Sequence, residues 1–422
     1  MKRFIFSAAV CLLGSTLSAQ SQTPQATELP GTPFTVKNTW TIGGEGNWDY
    51  LTLDPSALRL YIAHGPVVQV VDVTAGTLIG EVKGLRDAHE IALDDSGKYG
   101  FVTDGPLNEV AVFDRSTLEV VAHIPTARNP RSLVFDPESK LLFVVCPDSA
   151  PQERKIPRRS NGSTAPRRAF DSLTKSRITI IDADKLNALA DVTLSGKLGF
   201  AARGEGGAVY VNITDRDQIA VLHAGSLEPL LHNIPATPGE DQPAEPNTAI
   251  DWSDNATGKP PIPRQFHTLA LSQDCTQPRA LAVDERNRRL FVACDSMKLQ
   301  VLDAHSGSVV ASLPISQGTD AVGYDPERGM IYVSNGAGVG SVTIIKQHLT
   351  DSYAVVQELP TQARARTLAV NPTNGEVYLV TNILGLDRAN NGGSGGNNGN
   401  GSVGNLKESA VPGSFRVLVV GN

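Results

Sequence analysis

PRALAVDERNRRLFVACD (278–295) decides the fold of this chain. It contains a short strand, a turn led by Asp284 and a second strand that ends at Cys294. This strand–turn–strand motif occurs seven times. Its well-matched copies are spaced about 40 residues apart, which is the period of a β-propeller blade. The turn residues of the clean copies are Asp54, Asp94, Asp136, Asp284, Asp325 and Asn371, and a degenerate copy lies at 198–205.

Two further strands follow each copy, as a four-stranded blade requires. The third strands are predicted at 67–73, 109–114, 177–182, 218–223, 299–304, 341–346 and 415–420. The fourth strands are predicted at 77–82, 118–124, 188–194, 229–234, 308–315 and 353–359. The missing outer strand is FTVKNTWTI (34–42), which precedes the first blade. The sequence therefore predicts an all-β, seven-bladed β-propeller of four-stranded blades, closed by an N-terminal outer strand, because an open solenoid would leave two apolar edges unpaired.

Composition and the N-terminus predict an exported protein. The 422 residues are 40 % hydrophobic and 19 % charged, and the net charge of −7 gives no basic field that would attract nucleic acid. Met1-Lys2-Arg3 precedes a short apolar run, which predicts a cleaved signal peptide at 1–19, followed by a flexible tether at 20–33. The run is too short for a resident membrane span. We expect the mature propeller (34–422) to be periplasmic or secreted, monomeric and without a membrane span.

Several motifs carry a family resemblance. They are GGEGNWDYLTLDP (43–55), SNGAG (334–338), ARTLAVNP (365–372) and VPGSFRVLVVGN (411–422). With the strand-ending tetrads, they make the chain resemble the YVTN β-propeller repeat family of exported bacterial proteins over essentially its whole mature length. The resemblance implies a periplasmic or secreted seven-bladed propeller and no particular activity. The chain departs from the family in a long insert in the third blade and in Gly199, where relatives carry a polar residue.

The repeat also predicts which residues meet at one mouth of the central channel. The residue five positions before each turn residue should lie there, which gives the mouth set: Asp49, His89, Arg131, Gly199, Arg279, Asp320 and Arg366. The residue ten positions after the turn residue should return to the same face, which gives the second-strand set: His64, Asp104, Cys146, Asn212, Cys294, Asn335 and Thr381. Polar groups that converge on a concave mouth are typical of ligand sites, although wet channel mouths are polar without any ligand.

Three arginines in this mouth predict an anion site. Arg131, Arg279 and Arg366 come from alternate blades, and a carboxylate or phosphate would relieve their mutual repulsion. Asp49 and Asp320 offer an alternative, because they would form a ring of ion pairs with the same arginines.

A divalent metal at the mouth is the second possibility. His64, His89 and the carboxylates Asp49, Asp104 and Asp320 would supply the ligands, as in metal-dependent lactonases and lyases that use propeller mouths. No haem-attachment or zincin motif is present. GGSGG (392–396) matches the hydrolase elbow only literally, because it lies in low-complexity sequence with no strand before it or helix after it. A calcium site in DWSDNATG (251–258) lacks the Glu that completes an EF-hand loop. We therefore expect no cofactor.

Three long inserts are predicted at 147–176, 235–277 and 383–413, all on the mouth face. The first is basic, the second is acidic and rich in proline, and the third contains the linker-like stretch NNGGSGGNNGNG (390–401). Long loops of this kind are either functional or disordered.

Export leaves three cysteines, of which Cys275 and Cys294 are predicted to pair. Cys275 lies four residues before Arg279, at the mouth end of the strand that neighbours Cys294, and Cys146 lies two blades away. The alternative is two buried thiols that behave as small apolar groups.

Two function classes remain. The sequence favours a non-catalytic exported propeller that binds a protein partner or a small anionic ligand at the channel mouth. A metal-dependent lactonase- or lyase-type enzyme is the alternative.

Overall fold

The structure is a computed structural model that describes residues 32–149, 174–227, 250–251, 266–388 and 406–422. The predicted signal peptide and almost all of the tether lie outside these residues. So do 150–173, 228–249, 252–265 and 389–405, which make up most of the predicted inserts. None of the helices in the described part is long and apolar enough to cross a membrane.

The first four blades follow an N-terminal strand, β1 (Thr35–Thr41). Blade 1 contains β2 (Trp48–Asp54), β3 (Arg59–His64), β4 (Val67–Asp72) and β5 (Thr77–Val82). Blade 2 contains β6 (Ala88–Leu93), β7 (Tyr99–Asp104), β8 (Glu109–Asp114) and β9 (Val120–Pro125). Blade 3 contains β10 (Ser132–Asp136), β11 (Leu141–Ser149), β12 (Lys175–Asp182), β13 (Asn187–Ser195) and, later in the chain, β17 (Ile250–Asp251). Blade 4 contains β14 (Leu198–Arg203), β15 (Ala208–Ile213), β16 (Gln218–His223) and β18 (Phe266–Ala270), with short 3-10 helices at Glu205–Gly207 and Ala224–Leu227.

Three blades and a hairpin complete the chain. Blade 5 contains β19 (Pro278–Asp284), β20 (Arg289–Cys294), β21 (Lys298–Asp303) and β22 (Val309–Pro314). Blade 6 contains β23 (Thr319–Asp325), β24 (Met330–Asn335), β25 (Ser341–Leu349) and β26 (Ser352–Pro360). Blade 7 contains β27 (Leu368–Val370), β28 (Val377–Thr381), β31 (Arg416–Gly421) and the N-terminal β1. The hairpin is β29 (Leu384–Arg388) with β30 (Leu406–Ala410).

The predicted closure of the ring is confirmed. β1 pairs antiparallel with β31, from Thr35 opposite Gly421 to Thr41 opposite Arg416. The inner strands contact one another in the order β2, β6, β10, β14, β19, β23, β27 and back to β2. Apolar side chains fill the space between neighbouring blades, as where Phe291 and Val301 of blade 5 meet Ile331 and Val333 of blade 6. The propeller is therefore a ring whose seven hydrophobic cores lie between blades.

The repeated turn residue has a structural role on the face opposite the mouth. The buried Asp54 carboxylate accepts hydrogen bonds from the Ser56 N–H (3.0 Å) and the Ala57 N–H (3.1 Å). Asp325 does the same for Glu327 and Arg328. A carboxylate that closes its own turn in this way explains why the motif recurs without implying any chemistry.

The prediction of 229–234 as the outer strand of blade 4 was wrong. β18, and not 229–234, pairs with β16, from Gln218 opposite Ala270 to Leu222 opposite Phe266. The insert therefore connects the third and fourth strands of blade 4 and not blade 4 to blade 5. The described ends of this insert, at Leu227 and Phe266, therefore lie on the face opposite the mouth. The segment 229–234 itself lies outside the described residues.

Parts of the predicted inserts are regular structure. β11 and β12 run to Ser149 and from Lys175, and the ends of the third insert form the hairpin of β29 and β30. β17 pairs in parallel with β13 and adds a fifth strand to blade 3. The second insert ends before β18, and Cys275 lies in the link that leads into blade 5.

A disulfide joins Cys275 to Cys294, with their Cα atoms 5.4 Å apart. Both half-cystines are fully buried in the core between blades 4 and 5. Cys146 is a free, buried thiol, and burial raises the pKa of this thiol to about 12.

Candidate functional site

Bulges at the start of the inner strands turn the side chains of the mouth set toward the channel. The pairing of the first two strands breaks between Trp48 and Leu51 in blade 1, and between Ala88 and Ile91 in blade 2. Blades 4, 5 and 6 break at the corresponding place. A bulge frees its residues from the strict alternation of a strand, so Asp49 and His89 turn toward the mouth.

The second-strand set lies elsewhere. His64, Asp104 and Asn335 are each at most 1 % exposed and bond within their own blades. Asp104 accepts hydrogen bonds from the Arg86 N–H (2.7 Å) and the Asp87 N–H (3.3 Å), and Asn335 donates to Thr343 Oγ1 (2.9 Å). Their predicted place at the channel was wrong, because the second strand is about 4.8 Å farther from the axis than the inner strand. These residues hold the loops of the mouth face in place.

Four residues of the mouth set share one cleft of about 350 Å³. They are Asp49, His89, Arg131 and Arg366. The rest of the wall consists of Asn47, Trp48, Asp87, Ala88 and Arg364. The cleft lies over blades 7, 1, 2 and 3, and its wall is almost entirely polar or charged.

His89 is the most buried polar group of the cleft. Its side chain is 5 % exposed, and Nδ1 lies 2.9 Å from Asp49 Oδ2 and 3.2 Å from Arg131 Nη1. One Nδ1 atom cannot donate to Asp49 and accept from Arg131 at once. If Nδ1 carries the proton and donates a hydrogen bond to Asp49, it cannot accept one from Arg131. The N–H groups of Arg131 then remain available to a ligand. On the other side of the ring, Nε2 is buried without a hydrogen-bond partner in the described structure and lies 3.6 Å from Asp87 Oδ2.

Arg364 and Arg366 form the opposite wall. The Arg364 guanidinium stacks over the Trp48 ring at 4.9 Å, a cation–π contact that fixes its plane. Arg366 donates from Nη2 to the Trp48 carbonyl (3.3 Å), and its Nε lies 3.3 Å from Asp320 Oδ2. Within the described part of the chain, neither Arg131 nor Arg364 forms a salt bridge with a carboxylate, although both are exposed.

Arg279 is separated from the other two predicted arginines. It binds Asp295 Oδ2 through Nε (2.8 Å) and Nη2 (2.7 Å) and lines a different depression with Lys197 and Asp217. Two of the arginines, Arg279 and Arg366, are thus in ion pairs, as the alternative of an ion-pair ring requires. The cleft nevertheless contains three guanidinium groups, those of Arg131, Arg364 and Arg366. Arg364 was not predicted, because it does not lie five residues before a turn residue.

Two aromatic rings cross the channel below the cleft. Tyr50 of blade 1 packs against Phe200 of blade 4, with ring centroids 5.0 Å apart, and its hydroxyl donates to the Asp320 carbonyl of blade 6 (3.1 Å). The pKa of Tyr50 is raised well above 10 by burial and by the nearby charges of Asp320, Asp49 and Glu90. Blades 1 and 4 are almost opposite in the ring, so the two rings form a floor under the mouth.

Glu90 is a buried carboxyl group between blades 2 and 3. Its Oε2 accepts a hydrogen bond from the Leu133 N–H (3.0 Å). Burial raises the pKa of Glu90 to about 8, and the charge of Asp49 adds to that increase, whereas the donors Ser132 and Leu133 oppose it. The repeat did not indicate Glu90, whose only sequence signal is an acidic residue within an apolar inner strand.

We expect Glu90→Gln to change how stability depends on pH. Because the folded-state pKa lies above the ordinary value of 4.5, the contribution of Glu90 is fully present below about pH 4.5 and declines as the pH rises to about 8. The amide cannot ionise, so the variant should be more stable than the parent at pH 8.5 by on the order of 4 kcal/mol and similar at pH 5. Urea unfolding at both pH values checks this. Glu205→Gln, at an exposed site, is the control, and an equal gain in both variants would contradict the assignment.

His64 belongs to a second depression between blades 1 and 7. Its Nδ1 is 2.9 Å from Gln69 Oε1, its ring lies 4.0 Å from that of Phe415, and burial lowers its pKa. The ligand set considered for a metal is therefore dispersed, with His64, Asp104 and His89 in separate surroundings. No group of three or more His, Cys, Asp or Glu side chains in the described part is arranged to hold a metal ion.

Solved structures show what this fold is similar to. The chain resembles a hydrazine synthase of Kuenenia stuttgartiensis (TM-score 0.50, 14 % identity, 71 % of this chain and 84 % of that chain). It also resembles a chain of the mitotic checkpoint complex (0.57, 11 %, 87 % and 96 %) and U3-55K (0.60, 8 %, 91 % and 99 %). At these identities the likeness shows a WD40-like β-propeller fold and nothing further. No protein-family model and no curated protein matches the sequence.

Proposed function

We propose that this protein is an exported, non-catalytic β-propeller of the YVTN type that binds an anionic group in the mouth cleft. The group belongs to a small ligand or to a protein partner. The fold is that of a binding scaffold, and one observation carries the proposal. Arg131 and Arg364 are exposed in the cleft without a carboxylate partner in the described structure, and stacking on Trp48 holds Arg364 in place. A guanidinium that is already oriented loses little entropy when it binds a carboxylate or a phosphate.

The cleft favours binding over catalysis. Both acidic groups of its wall lie against His89, Asp49 through a hydrogen bond and Asp87 at 3.6 Å, and no Ser, Thr, Cys or Lys side chain lines the wall in the described part of the chain. The lactonase or lyase alternative requires a metal held by His64 and His89 together, and these side chains lie in different depressions.

Substitution of the unpaired arginines tests the proposal. Arg131→Ala and Arg364→Ala should each weaken the binding of pyruvate or inorganic phosphate by roughly 1–3 kcal/mol, because each removes charged hydrogen-bond donors from the cleft. The melting temperature should hardly change. Isothermal titration calorimetry at low salt gives the affinity.

Arg279→Ala is the matched control, because Arg279 is on the same face but is paired with Asp295 outside the cleft. Equal losses of affinity for Arg279→Ala and Arg364→Ala would place the anion elsewhere. A loss of stability without any change in binding would show that the cleft arginines serve only the fold.

Export is the second part of the proposal. The basic and apolar N-terminus supports it, as does the disulfide of Cys275 and Cys294, since disulfides persist in oxidising compartments. The mass of the protein recovered from the periplasm or the medium should correspond to a chain that begins near Gln20. A cytoplasmic protein that retains Met1 and reduced cysteines would refute export.

A further inference from the structure

Asp320 borders the cleft through its contact with Arg366. It is the bulge residue of β23, and Oδ2 faces Arg366 Nε at 3.3 Å. The charged groups that act on it come from every neighbouring blade on that side. They are Arg366 of blade 7, Arg279 and Asp295 of blade 5, and Asp49 of blade 1. Tyr50 donates to the backbone carbonyl of the same residue.

The groups around Asp320 raise the pKa of its carboxyl toward neutral pH. Burial raises its pKa to about 6, the charges of Asp49 and Asp295 add to the increase, and Arg366 and Arg279 oppose it. Arg279 is already committed to Asp295 through two contacts. Arg366 is therefore the cation that most strongly stabilises the ionised form of Asp320.

Arg366 also lines the cleft, so Asp320 and a ligand compete for one guanidinium. A ligand carboxylate that engages Arg366 weakens the attraction between this arginine and Asp320 and adds a second negative charge nearby. Both changes disfavour the ionised form of Asp320. The proton required comes from solvent and goes to a carboxylate oxygen of Asp320.

The charges of the cleft wall indicate the class of ligand. Arg131, Arg364 and Arg366 contribute three positive charges, and Asp49 and Asp87 contribute two negative charges. A single carboxylate matches that balance, whereas a phosphate dianion would be repelled by Asp49 and Asp87.

We propose that the mouth cleft binds a monocarboxylate together with one proton, which Asp320 takes up as it releases Arg366 to the ligand. This inference rests on the proposed anion-binding function and adds the ligand class and its control by pH. Affinity rises as the pH falls toward about 6 and levels off below it, because Asp320 is then already protonated in the free protein. The one-proton limit is about tenfold per pH unit.

Calorimetry with pyruvate, a monocarboxylate that stays ionised in this range, tests the proposal on the full mature chain. The affinity is expected to increase about twenty- to fiftyfold from pH 8 to pH 6. Titrations in two buffers of different ionisation enthalpy count the protons directly, and near pH 7 they should show net uptake approaching one. This count needs no variant.

Three variants assign the proton. In Asp320→Asn the pH dependence and the proton uptake should disappear, and binding at pH 8 should become tighter because the competing carboxylate is gone. Asp295→Asn makes the same charge change next to Arg279 and should keep the pH dependence. Glu90→Gln should keep it as well, although Glu90 is the other buried acid near Asp49.

Each outcome decides a different point. Pyruvate binding without proton uptake, or with uptake that persists in Asp320→Asn, overturns this inference and leaves the anion site standing. Phosphate binding tighter than pyruvate overturns the ligand class. If neither anion binds at any pH, the proposed function fails for small anions, and this inference fails with it.

Discussion

Removal of residues 20–42 is expected to lower the melting temperature by about 10 °C or more, or to make the protein aggregate. The deletion removes β1, the outer strand of blade 7, and leaves the backbone groups of β31 unpaired at an edge. It also removes Phe34 and Trp40, which pack on Tyr332 and Tyr378. Thermal unfolding and size-exclusion chromatography measure the effect.

Deletion of residues 20–33 is the matched control, because it shortens the N-terminus and leaves β1 intact. This control should melt like the parent. If the longer deletion is also monomeric and equally stable, β1 is not needed for closure.

Arg115→Ala is expected to destabilise the protein by about 3–5 kcal/mol. Arg115, in a turn of blade 2, is only 9 % exposed and forms a salt bridge with the buried Asp54 of blade 1. Its Nη1 also donates to the Asp94 carbonyl (3.1 Å). Without the guanidinium, Asp54 keeps the hydrogen bonds of its own turn but remains as a buried charge without a counter-ion on the face opposite the mouth.

Chemical denaturation measures this loss, and Arg288→Ala serves as the control. Arg288 is on the same face, but both it and its partner Glu205 are 70 % exposed, so its removal should change stability little. A double-mutant cycle with Asp54→Ala then isolates the pair. Equal effects for Arg115→Ala and Arg288→Ala would contradict the role given to the buried pair.

The sequence predicted the blades because the strands of most blades follow one another closely along the chain. Each inner hairpin lies within about 20 residues, and a turn residue such as Asp54 closes it through its own side chain. The closing strand was predictable by counting, since seven third strands faced six fourth strands. Most strand ends agree with the structure to within two residues.

The fourth blade shows where local reasoning fails. Its third strand ends at His223 and its outer strand begins only at Phe266, whereas the sequence pattern favours the nearer apolar stretch at 229–234. The pairing of β17 with β13 is also a contact between distant segments. No periodic pattern within the repeat contains such information.

The candidate site was predictable only in part. Counting from the turn residue brought Asp49, His89, Arg131 and Arg366 to one cleft, since these residues share a position in the repeat. Counting gives no radial distance, so it predicts a channel position for His64 and Asp104, which are buried within their blades. Arg364 lies two residues outside the counted position, and its role depends on stacking over Trp48, which only the folded ring reveals.

The position of a bound carboxylate tests the anion-binding cleft most directly. Crystals grown with 4-bromobenzoate would locate the bromine by anomalous scattering and orient the carboxylate. We expect the carboxylate to lie against Arg364 and Arg366, within hydrogen-bond distance of Arg131 or across one water. A bromobenzoate bound next to Arg279, or on any surface away from these three guanidinium groups, would contradict it.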